Sequence, residues 1–189
     1  MTEIEDYTYL VNPNLTFVAF DFETTGLSPN WDRIIEIGAV KFNNDGELDR
    51  FSQLVNPQMP IPEGASAVNE IFDHMVKNAP IGQEVLPLFQ KFVAGSILVA
   101  HNAAFDVSFF RSSLSRWGLG ELKNDVVDTQ RMSQKAFPGR STYKLQSLAA
   151  DLGVVALQAH RAEDDARVCM ELFRACLKKL NPGGQASFF

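Results

Sequence analysis

Three segments in the first third of the chain carry the hydrophobic spacing of strands. They are residues 16–23 ("TFVAFDFE"), about 33–43 ("RIIEIGAVKFN") and about 47–55 ("ELDRFSQLV"). Only "GLSPNWD" and "NNDG" separate them, and connections that short imply an antiparallel meander. Beyond "NPQMPIPEG" the period changes to that of helices. "ASAVNEIF" and "GQEVLPLFQKFVAG" read as helical, with Pro87 expected near the start of its helix because a proline interrupts a helix interior. "SILVAH" reads as a short buried strand, 103–117 as an amphipathic helix and "DVVDT" as another strand. Helices are expected near 129–137, 144–152 and 161–180. The order β-β-β-α-β-α-β-α predicts an α/β layer fold: a five-stranded mixed sheet, three strands antiparallel and two parallel, flanked by helices. Residues 1–14 read as an N-terminal extension, 15–180 as one domain and 181–189 as a tail.

Several carboxylates interrupt this pattern where apolar residues belong. Asp21 and Glu23 stand two apart on a strand and so share one face, with Phe20 and Phe22 on the other. A strand does not need that pair in order to fold. Each charge raises the other's pKa unless a cation compensates, so the metal-free protein is expected to have perturbed carboxylates. Asp106 falls on the apolar stripe of Ala103, Phe110, Leu114 and Trp117. Asp165 falls on that of Cys169, Leu172, Phe173, Cys176 and Leu180, whereas Asp164 falls on the opposite, solvated side. Singly, an inward acid near a helix start reads as a cap or an ion-pair partner. Four from three elements, if the fold unites them, make an oxygen-rich pocket suited to Mg²⁺ or Mn²⁺ rather than zinc. His160 precedes Asp165 by five residues at a loop-to-helix junction, where it reads either as an exposed loop histidine or as a group poised to take a proton from water.

Composition narrows the field. With 189 residues, 46% of them hydrophobic, the chain can bury one real core. It contains no apolar run long enough to span a bilayer, and "MTEIEDYTYL" is acidic and lacks a signal peptide's apolar stretch. A soluble, cytoplasmic protein without a membrane partner is the reading. Cys169 and Cys176 are separated by ~10 Å of helix, too far for a disulfide, and read as core residues. A net charge of -6 argues against a broad basic nucleic-acid coat, but not against binding through metal ions in a cleft. Residues 129–150 hold Arg131, Lys135, Arg140 and Lys144 without an acid, interleaved with Phe137 and Tyr143. They read either as a solvated helix and loop or as a segment that steers a nucleic-acid backbone.

"FDFETTG", "HNAAFD" and "HRAEDDA", in that order, resemble the three signature motifs of the DEDDh (DnaQ-like) 3'-5' exonucleases, among them the proofreading epsilon subunits of bacterial DNA polymerase III. "RIIEIGAVKF", "FPG" and "LQSLAADLG" extend the similarity over roughly residues 15–180. The resemblance implies a ribonuclease H-like fold and two divalent cations, Mg²⁺ or Mn²⁺. It implies that Asp21, Glu23 and Asp165 hold the nucleophile-side metal, that Asp21 bridges to the second and that Asp106 serves the second through water. His160 would be the general base. Thr24, Thr25, Gly26 and Leu27 would receive the 3'-terminal nucleotide, with His101, Asn102 and Phe105 as the opposite wall. Many relatives carry a His-Gly pair where this chain has Val68-Asn69-Glu70-Ile71, so Asn69 becomes the nucleotide contact there. The tail "QASFF", with Gln185, Phe188 and Phe189, resembles the short peptides by which replication proteins bind the sliding clamp. The implied substrate is DNA 3' ends in preference to RNA, in replication proofreading or repair, with a replicative polymerase as a partner. An exoribonuclease trimming RNA and a non-catalytic binding module are the alternatives, and the second would require a lost ligand.

Overall fold

In a computed structural model, described for residues 2–158 and 160–182, the expected sheet is present. Its strands are β1 (Phe17–Thr24), β2 (Ile34–Phe42), β3 (Glu47–Leu54), β4 (Ile97–Ala100) and β5 (Val126–Asp128). Their order is β3-β2-β1-β4-β5; the two pairings among β3, β2 and β1 are antiparallel, and β1–β4 and β4–β5 are parallel. The helices are α1 (Glu63–Asn69), α2 (Asp73–Val76), α3 (Gly82–Val93), α4 (Ala104–Trp117), α5 (Thr129–Ala136), α6 (Leu145–Asp151) and α7 (Ala162–Leu180). No described helix is long and apolar enough to cross a membrane.

The alternation in β1 divides the core in two. Val18, Phe20 and Phe22 join Phe89 of α3 and Phe109, Phe110 and Leu114 of α4 on one face of the sheet. Phe17 and Ala19 join Leu172, Phe173 and Cys176 of α7, with Met132 of α5, on the other. Cys169 and Cys176 are buried free thiols, as their spacing implied.

Three sequence expectations shift. The helix read in "ASAVNEIF" ends at Asn69, because Glu70 takes a left-handed conformation (φ 57°) and a second short helix begins at Asp73. Pro87 is the sixth residue of α3, not an early one. It lies on the exposed face, where water can serve the carbonyl its ring leaves without a helical donor. The N-terminal segment is part of the packed body: Ile4, Tyr7 and Leu10 are buried, and Ile4 N–H donates to the Val126 carbonyl at 2.8 Å, partly covering the β5 edge. The proposed clamp residues Gln185, Phe188 and Phe189 lie outside the described residues.

One contact sets the depth at which α7 meets the sheet. A Cβ on Gly38 would overlap the backbone of Ala162 and Glu163, at the start of that helix. Gly38 is the cross-strand partner of Asp21, so the bare strand position lies beside the first carboxylate. Gly38→Ala is expected to lift the start of α7 and destabilise the protein by roughly 1–3 kcal/mol. Urea unfolding of the two proteins checks this, and an unchanged midpoint would show that the helix can give way.

Candidate active site

Strand β1 outruns its parallel neighbour: the β1–β4 pairing covers only Phe17 to Ala19. Past it, Asp21 and Glu23 continue the face that α7 covers, and Asp165 comes down from the first turn of that helix. Asp21, Glu23 and Asp165 each offer a carboxylate oxygen, all within 4.8 Å of one another. Asp106, in the first turn of α4, is outside that tight group but reaches the same strand, accepting a hydrogen bond from Phe22 N–H at 3.1 Å. All four carboxylates meet the environment that the hydrophobic pattern implied, with Asp106 and Asp165 buried.

Their electrostatics follow from crowding. Burial, with the charges of Asp165 and Glu36, pushes Asp21 up to about 8. Burial and then Asp21, Asp165 and Glu36 push Glu23 up to about 9, although a hydrogen bond from Asn69 pulls it down. Burial and the charge of Asp21 raise Asp106 well above the usual carboxylate range, against the Phe22 hydrogen bond. Burial raises Asp165, opposed by the His160 N–H, the charge of His160 and the Gln146 amide. Among the described residues, Asp21 and Glu23 have no Lys or Arg partner within ion-pair distance. A close set of hard oxygen donors with raised proton affinity fits a divalent cation.

A second layer aims these groups, and the sequence reading assigned it no role. Gln146 of α6 donates to Asp165 Oδ1 at 2.5 Å, and His160 N–H to Oδ2 at 3.0 Å. Glu36, opposite Glu23 on β2 and with a side chain only 3% exposed, accepts from Arg161 Nη2 at 2.5 Å and from Ala162 N–H at 3.0 Å. That ion pair, with the Ala162 N–H bond, ties the start of α7 to the sheet. Asp128 caps α5 through Gln130 N–H and holds Asn102 N–H at 3.1 Å, fixing the turn that leads into α4. An acid in an apolar run was a readable signal for Glu36, and an acid directly before a helix was one for Asp128. Gln146 had none.

Asp164 corrects its expectation. Rather than pointing into solvent, its carboxylate accepts from Leu157 N–H at 2.6 Å, Gln158 N–H at 2.7 Å and Arg167 Nε at 2.9 Å. It pins the loop that delivers His160. His160 is exposed with φ 63°, and its backbone rather than its ring supplies the contact to Asp165.

The anticipated nucleotide contacts divide. Leu27 is 85% exposed, Asn102 is exposed and Phe105 is half-buried against Phe109. Thr24, Thr25, His101 and Asn69 are committed internally. Thr24 Oγ1 donates to the Gly26 carbonyl at 2.6 Å, and Thr25 Oγ1 accepts from Arg33 N–H at 3.0 Å. Gly26 packs against the Asp32 carboxylate, where a side chain would collide. The two ring nitrogens of His101 contact Thr129 Oγ1 and the Tyr143 carbonyl. Asn69, 2% exposed, donates to the Thr24 carbonyl at 3.4 Å and hydrogen-bonds Glu23. The basic segment is largely spent as well: Arg131 pairs with Glu3 at 2.9 Å, Lys135 donates to the Glu5 carbonyl at 3.0 Å and Arg140 pairs with Asp151. Tyr143 donates to the Phe137 carbonyl, and both rings pack on the core.

The sheet order and the carboxylates at the free end of β1 place the protein among nucleases of ribonuclease H-like fold. The chain belongs to the exonuclease (RNase_T) family, which it matches over residues 18–173, and is a 3'-5' exonuclease. It is 49% identical over 172 residues to the DNA polymerase III subunit epsilon of Treponema pallidum, covering 90% of this chain and 80% of that one. It is 46% identical over 168 residues to the PolC-type DNA polymerase III of Caldanaerobacter subterraneus subsp. tengcongensis, covering 89% of this chain but only 12% of that protein. Among solved structures, exonuclease X in complex with 5' overhanging duplex DNA superposes with a TM-score of 0.68 at 26% identity, covering 90% of this chain and 93% of that one. Escherichia coli exonuclease I bound to a dT13 oligonucleotide shares the fold, with a TM-score of 0.73 at 17% identity over 91% of this chain and 42% of that one.

The raised carboxylates set a pH dependence for the cation-free protein. Unfolded, these groups ionise near pH 4; folded, Asp21 and Glu23 hold their protons to about 8 and 9. Across that window the folded state binds more protons than the unfolded one, so its stability falls as pH rises. In EDTA the Tm is expected to drop between pH 6 and 9. Mg²⁺ or Mn²⁺ should restore it at the alkaline end, and Asp21→Asn should flatten the slope. A cation-free Tm that rises over this range would contradict the assignment.

Proposed function

We propose that the protein removes nucleotides one at a time from the 3' ends of DNA, single-stranded or frayed, in replication proofreading or repair. The observation that carries this reading is the Asp21–Glu23–Asp165 cluster within 4.8 Å, with Asp106 of α4 joined to the same strand through Phe22 N–H. Its similarity to a DNA polymerase III subunit supports DNA over RNA as the substrate and a replicative polymerase as the partner.

Asp21, Glu23 and Asp165 would hold one divalent cation, with Asp21 shared and Asp106 serving a second. Two such cations, Mg²⁺ or Mn²⁺, would supply a lowered pKa for the attacking water and countercharge for the departing oxygen. The chain's own residues do the rest. His160, carried on the loop that Asp164 pins, takes the proton of the water that attacks the terminal phosphodiester. The bond from phosphorus to the 3'-oxygen of the preceding nucleotide breaks, that oxygen gains a proton, and a nucleoside 5'-monophosphate leaves. Leu27, Asn102 and Phe105 flank the end being cut.

Labelled at the 5' end, DNA and RNA oligonucleotides of one sequence, incubated with Mg²⁺ or Mn²⁺, test this directly. A ladder shortening from the DNA 3' end is expected, absent with Asp165→Ala and slowed about 10²–10⁴-fold with His160→Ala. A ladder on RNA alone would move the substrate to RNA, and no ladder with either cation would overturn the reading. We further propose that the "QASFF" segment binds the sliding clamp. A synthetic "GGQASFF" peptide should then bind clamp, and no binding by peptide or full chain at high micromolar concentration removes that partner.

A further inference from the structure

The loop between β1 and β2 exposes a tryptophan while holding its backbone still. Trp31 is 78% exposed. Thr25 N–H donates to the Arg33 carbonyl at 2.9 Å and Arg33 N–H to Thr25 Oγ1, closing the loop at its base. Asp32 accepts from Ser28 N–H at 2.8 Å, and Asp32 N–H donates to the Ser28 carbonyl at 2.7 Å. From outside the loop, Ser112 Oγ of α4 donates to the Pro29 carbonyl at 2.5 Å, and Arg116 Nη2 to the Pro29 and Asn30 carbonyls. Arg33 Nη1 donates to the Trp31 carbonyl at 2.7 Å. A loop braced from both sides gains nothing in folding from a large apolar ring left in water.

The charges around it indicate what the ring meets. Among the described residues, Arg33, Arg111 and Arg116 are the arginines with no carboxylate within ion-pair distance. Two of the three hold this loop through carbonyls rather than through an acid, and the one carboxylate within the loop, Asp32, is turned inward onto Ser28 N–H and Gly26. Burial and the neighbouring charge of Arg33 lower the pKa of Arg116, a repulsion that an anion would relieve. An exposed indole beside uncompensated guanidiniums is the chemistry by which proteins grip unpaired nucleotides: the ring stacks on a base and the cations face phosphates. The location fits, since Trp31 is two residues from Arg33, Arg33 pairs with Thr25, and Thr25 is two residues from Glu23. Backbone geometry therefore keeps Trp31 within about 20 Å of that carboxylate.

We propose that Trp31 is a stacking platform for an unpaired base a few nucleotides upstream of the 3' terminus, with Arg33 and Arg116 facing the adjoining phosphates. This rests on the exonuclease reading and adds to it a residue that selects frayed or single-stranded ends. Because hydrogen bonds from both sides already brace the loop backbone, stacking costs little further backbone ordering.

The test compares wild type, Trp31→Ala and Trp31→Phe on 5'-labelled DNA. One substrate is unmodified, and each of the others carries a single abasic site at one of the last few positions before the terminal nucleotide. Trp31→Ala is expected to raise KM about tenfold on unmodified DNA, with Trp31→Phe recovering most of the loss. On the substrate whose abasic site removes the stacked base, the difference between wild type and Trp31→Ala should vanish. Oligonucleotide added in EDTA should quench tryptophan emission in wild type but not in Trp31→Ala. An equal penalty on every abasic substrate, no penalty at all, or emission unmoved by DNA would overturn the proposal, the last leaving the ring for a protein partner. Wild type failing to trim any DNA would instead overturn the exonuclease reading.

Discussion

Asp21 faces Gly38 across the β1–β2 ladder, and the first turn of α7 fills the space where Gly38 has no side chain. The candidate site depends on this approach. Were the helix a side chain's width higher, Asp165 would leave the group it forms with Asp21 and Glu23, and Glu36 would lose the Ala162 N–H. The contact is purely steric. It commits no polar group, and so leaves both strand carboxylates free for a ligand.

Electrostatics then sorts the acids that this packing gathers. Five carboxylates lie at the end of the sheet, and the protein treats them differently. Arg161 neutralises Glu36, and breaking that pair would leave a buried charge at a cost of roughly 3 kcal/mol. Asp106 is held to backbone through Phe22, and Asp165 is oriented by Gln146 and His160 N–H. Among the described residues, Asp21 and Glu23 have no Lys or Arg within ion-pair distance. The same division explains the loop before α7, where Asp164 spends its charge on Arg167 and on two backbone N–H groups rather than joining the cluster.

The sequence disclosed the sheet, the helices and the four carboxylates because each is a local departure from a period of two or 3.6. A charged residue at an apolar position is visible without knowing what packs on it. What stayed hidden depends on partners far along the chain. Gly38 reads as an ordinary weak spot in a strand until a helix 124 residues later is laid across it. Residues 129–150 read as a free basic surface because Glu3, Glu5 and Asp151, which engage three of its cations, all lie outside the segment. Asp164 was placed by helical angle alone, which registers the helix face but not the loop folded back onto it.

The same alternation that exposes the carboxylates also prevents them from escaping one another. Phe22 packs edge-on to Phe89 and Phe110, with centroids 5.7 and 5.9 Å apart, and Phe20 packs on Phe89 at 6.1 Å. Slipping β1 by one residue would separate Asp21 from Asp165, but it would also turn both phenylalanines out of the core and both acids into it. Burial of each ring contributes about 1.5–3 kcal/mol against that slip, before the cost of burying a charge. Repulsion at the site therefore cannot relax through the backbone. It relaxes only by taking up protons or by taking up a cation, and near neutral pH the two compete for the same oxygens.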